Sequence, residues 1–403
     1  MKPANEMELS EAVRAANGPL RIVGGGTRAI GAVPDAEVLD ISGLSGISLY
    51  EPGALTMVAG AGTPLGQIEA ALAKENQRLA FEPPDMRRLL GREGVSTIGG
   101  VVAANASGPR RIQVGACRDH VLGVRFVDGQ GTVIKNGGRV MKNVTGYDLV
   151  KLLAGSHGSL GVLSEVSFKV LPCPETEATV IIHDHDISAA LQAMAQALGS
   201  PFDVSGAAHG PAAAVGEFGK TWLRVEGFAA SVAYRCQRLT ALLAGFGEIT
   251  VETDPAKSAK IWRSIRDVPE FSDAAQVVRM SLKPSDFSEF NASASRAGQS
   301  YRFMLDWGGG LAWLAANKDQ PDALAGQEAL DGFDDASVAG LLCCAQDYCA
   351  KAGGHASLIK GSVLTSHFQP EPPGLATLSA ALRSRFDPRG ILNPGLMTSG
   401  SKS

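Results

Sequence analysis

The sequence predicts an α+β protein of two domains, the first of which closes glycine-dense loops around a ligand. Three observations carry this reading. Short apolar runs recur between turns, without the regular strand–helix alternation of a parallel βαβ sheet. The stretch Leu171-Pro172-Cys173-Pro174-Glu175-Thr176 interrupts the chain and marks a domain boundary. Three loops lie at the ends of apolar runs: Gly24-Gly25-Gly26-Thr27, Ser96-Thr97-Ile98-Gly99-Gly100 and Gly155-Ser156-His157-Gly158-Ser159-Leu160-Gly161.

Taken in order, residues 6–17 predict a short helix, and Leu20-Arg21-Ile22-Val23 a strand entering the first glycine loop. Short strands are expected around 38–40 and 55–59. Thr63-Pro64 opens a helix to about Asn76, with Thr63 as its cap and Pro64 in its first turn. Leu65, Ile68 and Leu72 give that helix one apolar face. Strands are expected at 120–127, 132–134 and 163–170, the first two joined as a hairpin by the turn-forming Asp128-Gly129. Beyond Pro174 come strands at 179–182, 221–227, 248–251 and 301–305 and helices near 187–198, 230–245, 256–266 and 309–316. That repeat suits an antiparallel sheet with helices on one face. The end, from Arg385 to Gly395, is punctuated by Pro388, Gly390 and Pro394 and is too apolar to be loose.

Composition narrows the function classes. At 403 residues the chain exceeds most single cores, and 45% hydrophobic residues suffice to bury two. Residues 1–172 carry 18 Lys+Arg against 16 Asp+Glu, and the remainder 19 against 25. Neither half has the basic field of a nucleic-acid binder. The six cysteines, at 117, 173, 236, 343, 344 and 349, lack the spacing of a zinc or iron–sulfur ligand set and read as free thiols; no metal site is expected. His183 and His185 stand two apart in an Asp-rich stretch and read as a solvated surface. With no signal-peptide pattern and no apolar run of membrane-spanning length, the expected location is cytoplasmic.

Glycine exposes backbone N–H groups and tolerates positive φ, so three such loops suit one long, phosphate-bearing ligand; turns alone are the other reading of each loop. A nicotinamide site fails at the first loop. The third fingerprint position is Ala29, which is tolerated, but Ile30-Gly31-Ala32-Val33-Pro34 cannot continue the helix that meets a pyrophosphate. No Gly-Lys-Ser/Thr follows any of the loops, which excludes a Walker site.

Residues 1 to about 172 resemble the FAD-binding domain of the vanillyl-alcohol-oxidase/PCMH superfamily. The segments that carry the resemblance are 23–28, 59–65, Phe81-Glu82-Pro83-Pro84, Thr97-Ile98-Gly99-Gly100, Asn105-Ala106-Ser107-Gly108, 118–123, 142–148 and Gly158-Ser159-Leu160-Gly161. Asp306-Trp307-Gly308-Gly309-Gly310, Gly353-Gly354-His355-Ala356 and the 386–395 segment extend it over nearly the whole chain, where it is similar to the GlcE family of bacterial glycolate oxidase subunits. The resemblance implies a PCMH-type FAD-binding domain of two subdomains (1–172), an α+β cap of the FAD-linked oxidase C-terminal type (173–365), and a C-terminal segment (366–403) packing back near the flavin domain. It implies FAD held by Gly24, Gly25, Gly26, Thr27 and Arg28, by Pro83, and by Thr97, Ile98, Gly99 and Gly100. Asn105, Ser107 and Gly108 would lie along the flavin, Lys142 near its face, and Gly158, Gly161 and Val162 near the ribose and adenine. His157 would also serve the cofactor, and Arg110 and Arg111 would meet phosphate or a partner subunit. Cys117 stands where a covalent flavin link is chemically open.

The catalytic residues are harder to place. Oxidising a 2-hydroxy acid needs a cation for the carboxylate and a base or metal for the hydroxyl. Catalytic relatives carry a His-x-Gly-x-Gly-Asn segment in the cap, whereas 306–310 here has no histidine. His355, Arg224 and Arg302 are the candidates. The resemblance therefore implies a subunit accessory to a sister catalytic FAD subunit and an iron–sulfur subunit. Glycolate would be the substrate of the complex, and contact with the inner membrane would be peripheral, through that complex. A self-sufficient 2-hydroxyacid dehydrogenase and a flavin-free scaffold are the alternatives.

Overall fold

The computed structural model describes residues 1–28, 30–31, 36–139, 146–210, 219–316, 340–361 and 366–397. In the first domain β1 (Leu20–Val23) and β2 (Glu37–Asp40) form a parallel pair beside the helix Glu6–Ala15. The chain continues through β3 (Ile47–Glu51), β4 (Thr56–Gly60), β5 (Gln77–Arg78), β6 (Val121–Val127), β7 (Val133–Gly137), β8 (Val162–Lys169) and β9 (Leu171–Pro172). An antiparallel five-stranded sheet has the order β3-β4-β8-β6-β7. Its side chains, with Ile68 and Leu72 of the helix Leu65–Lys74, build one core.

The β6–β7 hairpin closes as its sequence implies, with Asp128 Oδ1 accepting the amides of Gln130 and Thr132 at 2.9 and 2.8 Å. Two local expectations differ. Thr63 does not cap the following helix, which starts at Leu65 after Pro64; its hydroxyl accepts the Gly46 amide at 2.9 Å and donates to the Gly60 carbonyl at 2.7 Å. Leu171–Pro172 is not strand-free but pairs with β5, since a proline without a donor is tolerated in so short a pairing.

The second domain is one antiparallel sheet of eight strands. They are β10 (Thr176–His185), β11 (Val204–Gly210), β12 (Gly219–Gly227), β13 (Ile249–Glu252), β14 (Gln276–Ser281), β15 (Tyr301–Asp306), β16 (Leu311–Ala316) and β17 (His355–Lys360), in the order β13-β10-β12-β11-β15-β16-β14-β17. The helices Ile187–Leu198, Ala229–Leu243, Phe287–Arg296 and Leu341–Ala352 bury their apolar stripes on one face. The other face carries Val277, Met304 and Trp313 and packs against Met86 and Leu89 of the first domain. Residues 309–316, expected as a helix, instead contain β16. All six of its residues are buried between β14 and β15, and a short apolar run of that length has no periodicity to separate helix from central strand.

After the helix Pro373–Phe386 the chain returns to the first domain. Leu20 donates its amide to the Ile391 carbonyl at 2.7 Å, and Ile391 and Leu392 join that core.

Candidate functional site

Where β1 ends, Gly24 to Gly26 turn the backbone against the segment 94–97. A Cβ on Gly25 would stand 1.5 Å from the Val95 carbonyl oxygen, and one on Gly24 2.4 Å from Thr97 Oγ1. These two glycines therefore serve the close approach of two loops. Gly26, at φ +68°, and Gly100 are different: a Cβ on Gly26 meets nothing, and one on Gly100 meets only Thr97 Oγ1 at 3.3 Å. The amides of Gly25, Gly26 and Thr27 donate to no acceptor among the described residues. Thr97 caps the helix Ile98–Ala103 by accepting the Gly100 amide.

These loops line one cavity, whose opposite wall is Ser156, His157, Gly158 and Gly161. Of the residues the sequence assigned to a cofactor, it gathers Gly24, Gly25, Gly26, Thr27, Arg28, Thr97, Gly99, Gly100, Gly158 and Gly161. Pro83, Ile98, Asn105, Ser107, Gly108 and Val162 do not line it. Ile98 and Val162 are core residues, and Pro83 is buried. Asn105 accepts the Arg118 amide, Ser107 accepts the Cys117 amide, and the Gly108 carbonyl accepts the Trp307 indole N–H at 3.0 Å. Lys142 lies outside the described residues. Asn393 was not foreseen in the site. Its Oδ1 accepts the Ile22 amide at 2.9 Å and its Nδ2 donates to the His157 carbonyl at 2.8 Å, so the C-terminal segment ties two walls together. That pairing spans some 370 residues and leaves no local signal.

The cavity is electropositive: Arg21 and Arg28 line it with no Asp or Glu among the described residues, and Asp85 and Asp267 act on Arg28 only through space. Arg28 donates to the Pro84 carbonyl and, at 3.4 Å, to Ser96 Oγ, but its buried Nε has no partner and it makes no ion pair among the described residues. Burial lowers its pKa to about 10, so it stays charged at neutrality. His157 touches Phe368 edge-on at 5.1 Å; burial first, and then Arg28 and Arg279, lower its pKa to about 4. An orphaned guanidinium nitrogen, free amides and glycine surfaces without a Cβ fit the diphosphate of a dinucleotide such as FAD. Cys117 is fully buried and its thiol is pushed well up, which opposes the thiolate that a covalent link needs.

The catalytic candidates fall elsewhere. Arg224 is buried at the domain seam, its terminal nitrogens on Glu82 at 2.8 and 2.9 Å and its Nε on Ser205 Oγ at 3.2 Å. That guanidinium is committed, and a substrate carboxylate would have to displace Glu82. Arg302 sits at the far end of β15, paired with Asp273 at 2.6 Å. His355 is exposed at the start of β17, its pKa lowered by desolvation and then by Arg279 and Arg111. Among the described residues no three His, Cys, Asp or Glu side chains gather as a metal would require, and His183 is hydrogen-bonded to Thr250. No helix among them is long and apolar enough to cross a membrane.

Residues 1–137 match the FAD binding domain family. Over 384 residues, 94% of this chain and 92% of the relative, the chain is 33% identical to the glycolate oxidase subunit GlcE of Escherichia coli (strain K12). It is 34% identical to the glycolate oxidase subunit GlcD of Bacillus subtilis (strain 168) over 39% of this chain and 30% of that protein. With a D-lactate dehydrogenase of Archaeoglobus fulgidus it shares 35% identity over 43% of this chain and 38% of that protein. An alkyldihydroxyacetonephosphate synthase structure matches with a TM-score of 0.69 at 16% identity, covering 98% of this chain and 76% of that one, a likeness of fold alone.

Proposed function

The chain belongs to the GlcE family of FAD-binding oxidoreductase subunits, and on that premise we propose that it is the accessory flavin subunit of an assembly oxidising glycolate to glyoxylate. A sister flavin subunit turns the acid over, an iron–sulfur subunit takes the electrons onward, and the assembly meets the inner membrane peripherally. Domains at 1–172 and 173–365, with 366–403 closing back on the first, divide the labour between cofactor and cap. The observation that carries the reading is the unpartnered Arg28 Nε in a glycine-lined cavity. It belongs to a chain similar to GlcE along almost its full length.

When bound, FAD supplies the two-electron redox chemistry. The residues of this chain hold and orient it. Arg28 and the amides of Gly25, Gly26 and Thr27 would hold the diphosphate, with Thr97, Gly99 and Gly100 on the adjoining loop. Gly158 and Gly161 on the opposite wall would take the ribose and adenine, and the segment from Asn105 to Gly108, outside that cavity, would border the flavin ring. The cap lends no histidine from 306–310, which supports placing turnover in the sister subunit.

His355 beside Arg279 and Arg111 favours a second reading, a dehydrogenase complete in one chain. Purifying the chain alone decides among the cases. A bound-flavin spectrum that glycolate leaves unbleached under anaerobic conditions, until the sister subunit is added, supports the accessory role. Prompt bleaching without partners supports the second reading. A chain that takes up no FAD removes both.

A further inference from the structure

Trp307 is the residue around which the cap meets the flavin domain. Its backbone lies at φ +54°, a left-handed conformation rare for a bulky side chain, and it is pinned at two points. Its amide donates to Asp306 Oδ1 at 2.7 Å, and its indole N–H donates to the Gly108 carbonyl at 3.0 Å. The ring so fixed carries two guanidinium groups: Arg111 from the flavin domain at 4.2 Å from its centroid, and Arg279 from β14 at 5.1 Å. Arg279 also lies over Trp313, at 5.9 Å.

Neither arginine makes a hydrogen bond through its guanidinium or an ion pair among the described residues, in contrast to Arg78, Arg110 and Arg224 at the same seam. The two repel each other and both act on His355; strand register places Arg279 on the same face as His355, since it pairs with Ser357, two residues along β17. The acid acting on Arg279 is Asp306, whose Oδ1 is spent on the Trp307 amide, and the acid acting on Arg111 is Asp119, which Lys151 already holds at 2.8 Å. Cations stacked on indoles keep their N–H edges free for an anion in the ring plane, and a guanidinium fork matches a carboxylate. The indole of Trp307 is tied to Gly108, four residues beyond Ala104 on the wall of the dinucleotide cavity, so this cluster borders the cofactor site.

Resting on the FAD placement above, we propose that Arg279 and Arg111 form a site for the carboxylate of a small 2-hydroxy or 2-oxo acid, with His355 facing its second oxygen. The chain then binds the acid itself, whichever subunit turns it over. Because one arginine comes from each domain, the acid also bridges the cap to the flavin domain.

The test titrates sodium oxalate, a stable anion with a second oxygen beside the carboxylate, into the FAD-loaded full chain at low salt. Tryptophan emission and the flavin absorbance are read together. Saturable quenching is expected, weakened ~10- to 100-fold in Arg279→Gln and in Arg111→Gln, the range for loss of a charge-assisted hydrogen bond. Arg279→Lys should recover part of the affinity, and all three variants should keep FAD. Absence of oxalate binding in the flavin-loaded wild type overturns the site, as does wild-type affinity in both Gln variants. Loss of FAD from those variants also overturns it, since the arginines then serve the cofactor. If the chain takes up no FAD yet binds oxalate through Arg279, the FAD reading fails and the acid site stands.

Discussion

Arg224 in the cap reaches across the domain seam and donates both terminal nitrogens to the two carboxylate oxygens of Glu82, at 2.8 and 2.9 Å. Glu82 also accepts the Arg110 amide at 3.0 Å, and Glu226 receives Arg78 at 2.7 Å and Arg110 from the other side. Three arginines and two glutamates thus interlock where the eight-stranded sheet covers the flavin domain. A residue that first looked like a substrate anchor is an interdomain clamp.

Removing one partner of such a buried pair leaves an uncompensated charge, at a cost of about 3–5 kcal/mol. Arg224→Met and Glu82→Gln should each lower the unfolding free energy by that order, read from the fall in the urea midpoint. The double variant should recover a large part of the loss. Simple addition of the two single effects would show that the pair is not coupled.

The glycine loop separates into two kinds of position. Gly25→Ala forces a Cβ onto the Val95 carbonyl and should destabilise the apo-protein as well as abolish FAD uptake. Gly100→Ala places its methyl where only Thr97 Oγ1 stands, inside a helix, so the fold should be unharmed or gain up to ~1 kcal/mol. FAD affinity should still fall at least ~10-fold, as the methyl intrudes on the ligand side. Thermal melts and FAD titration of the two variants check this pairing of effects.

That distinction also marks what was legible in the sequence. Glycine loops, the β6–β7 hairpin and the amphipathic helices Leu65–Lys74 and Ile187–Leu198 announce themselves through local rules, and they bring most of the cofactor wall with them. Asn393 and Arg279 carry no such signal. Their roles arise from pairings with Ile22 and Trp307 that only the tertiary fold creates. β16 was misread because full burial on both faces erases the alternation by which a strand is recognised.

Arg28 should act on the cofactor more than on the fold. A buried cation without an acid partner contributes little to stability, so Arg28→Met should leave the apo-protein as stable as wild type or slightly more so. FAD binding should weaken ~10- to 100-fold, the scale of a lost charged hydrogen bond to phosphate. Equal FAD affinity in the variant would remove Arg28 from the diphosphate site.

His157 should give the apo-protein a specific acid sensitivity. Its pKa is lowered from 6.5 to about 4 in the fold, so between those values the unfolded chain binds a proton that the native state does not. Stability is therefore complete above pH 6.5 and falls as the pH drops toward 4, by up to about 3 kcal/mol. His157→Gln should flatten that segment of the stability curve, measured by urea unfolding from pH 7.5 to 4. Arg28→Met should flatten it only in part, because burial is the larger cause of the shift and Arg28 the next. Bound FAD, by placing a diphosphate beside Arg28, should oppose the shift as well, so the holo-protein should lose less stability over the same range.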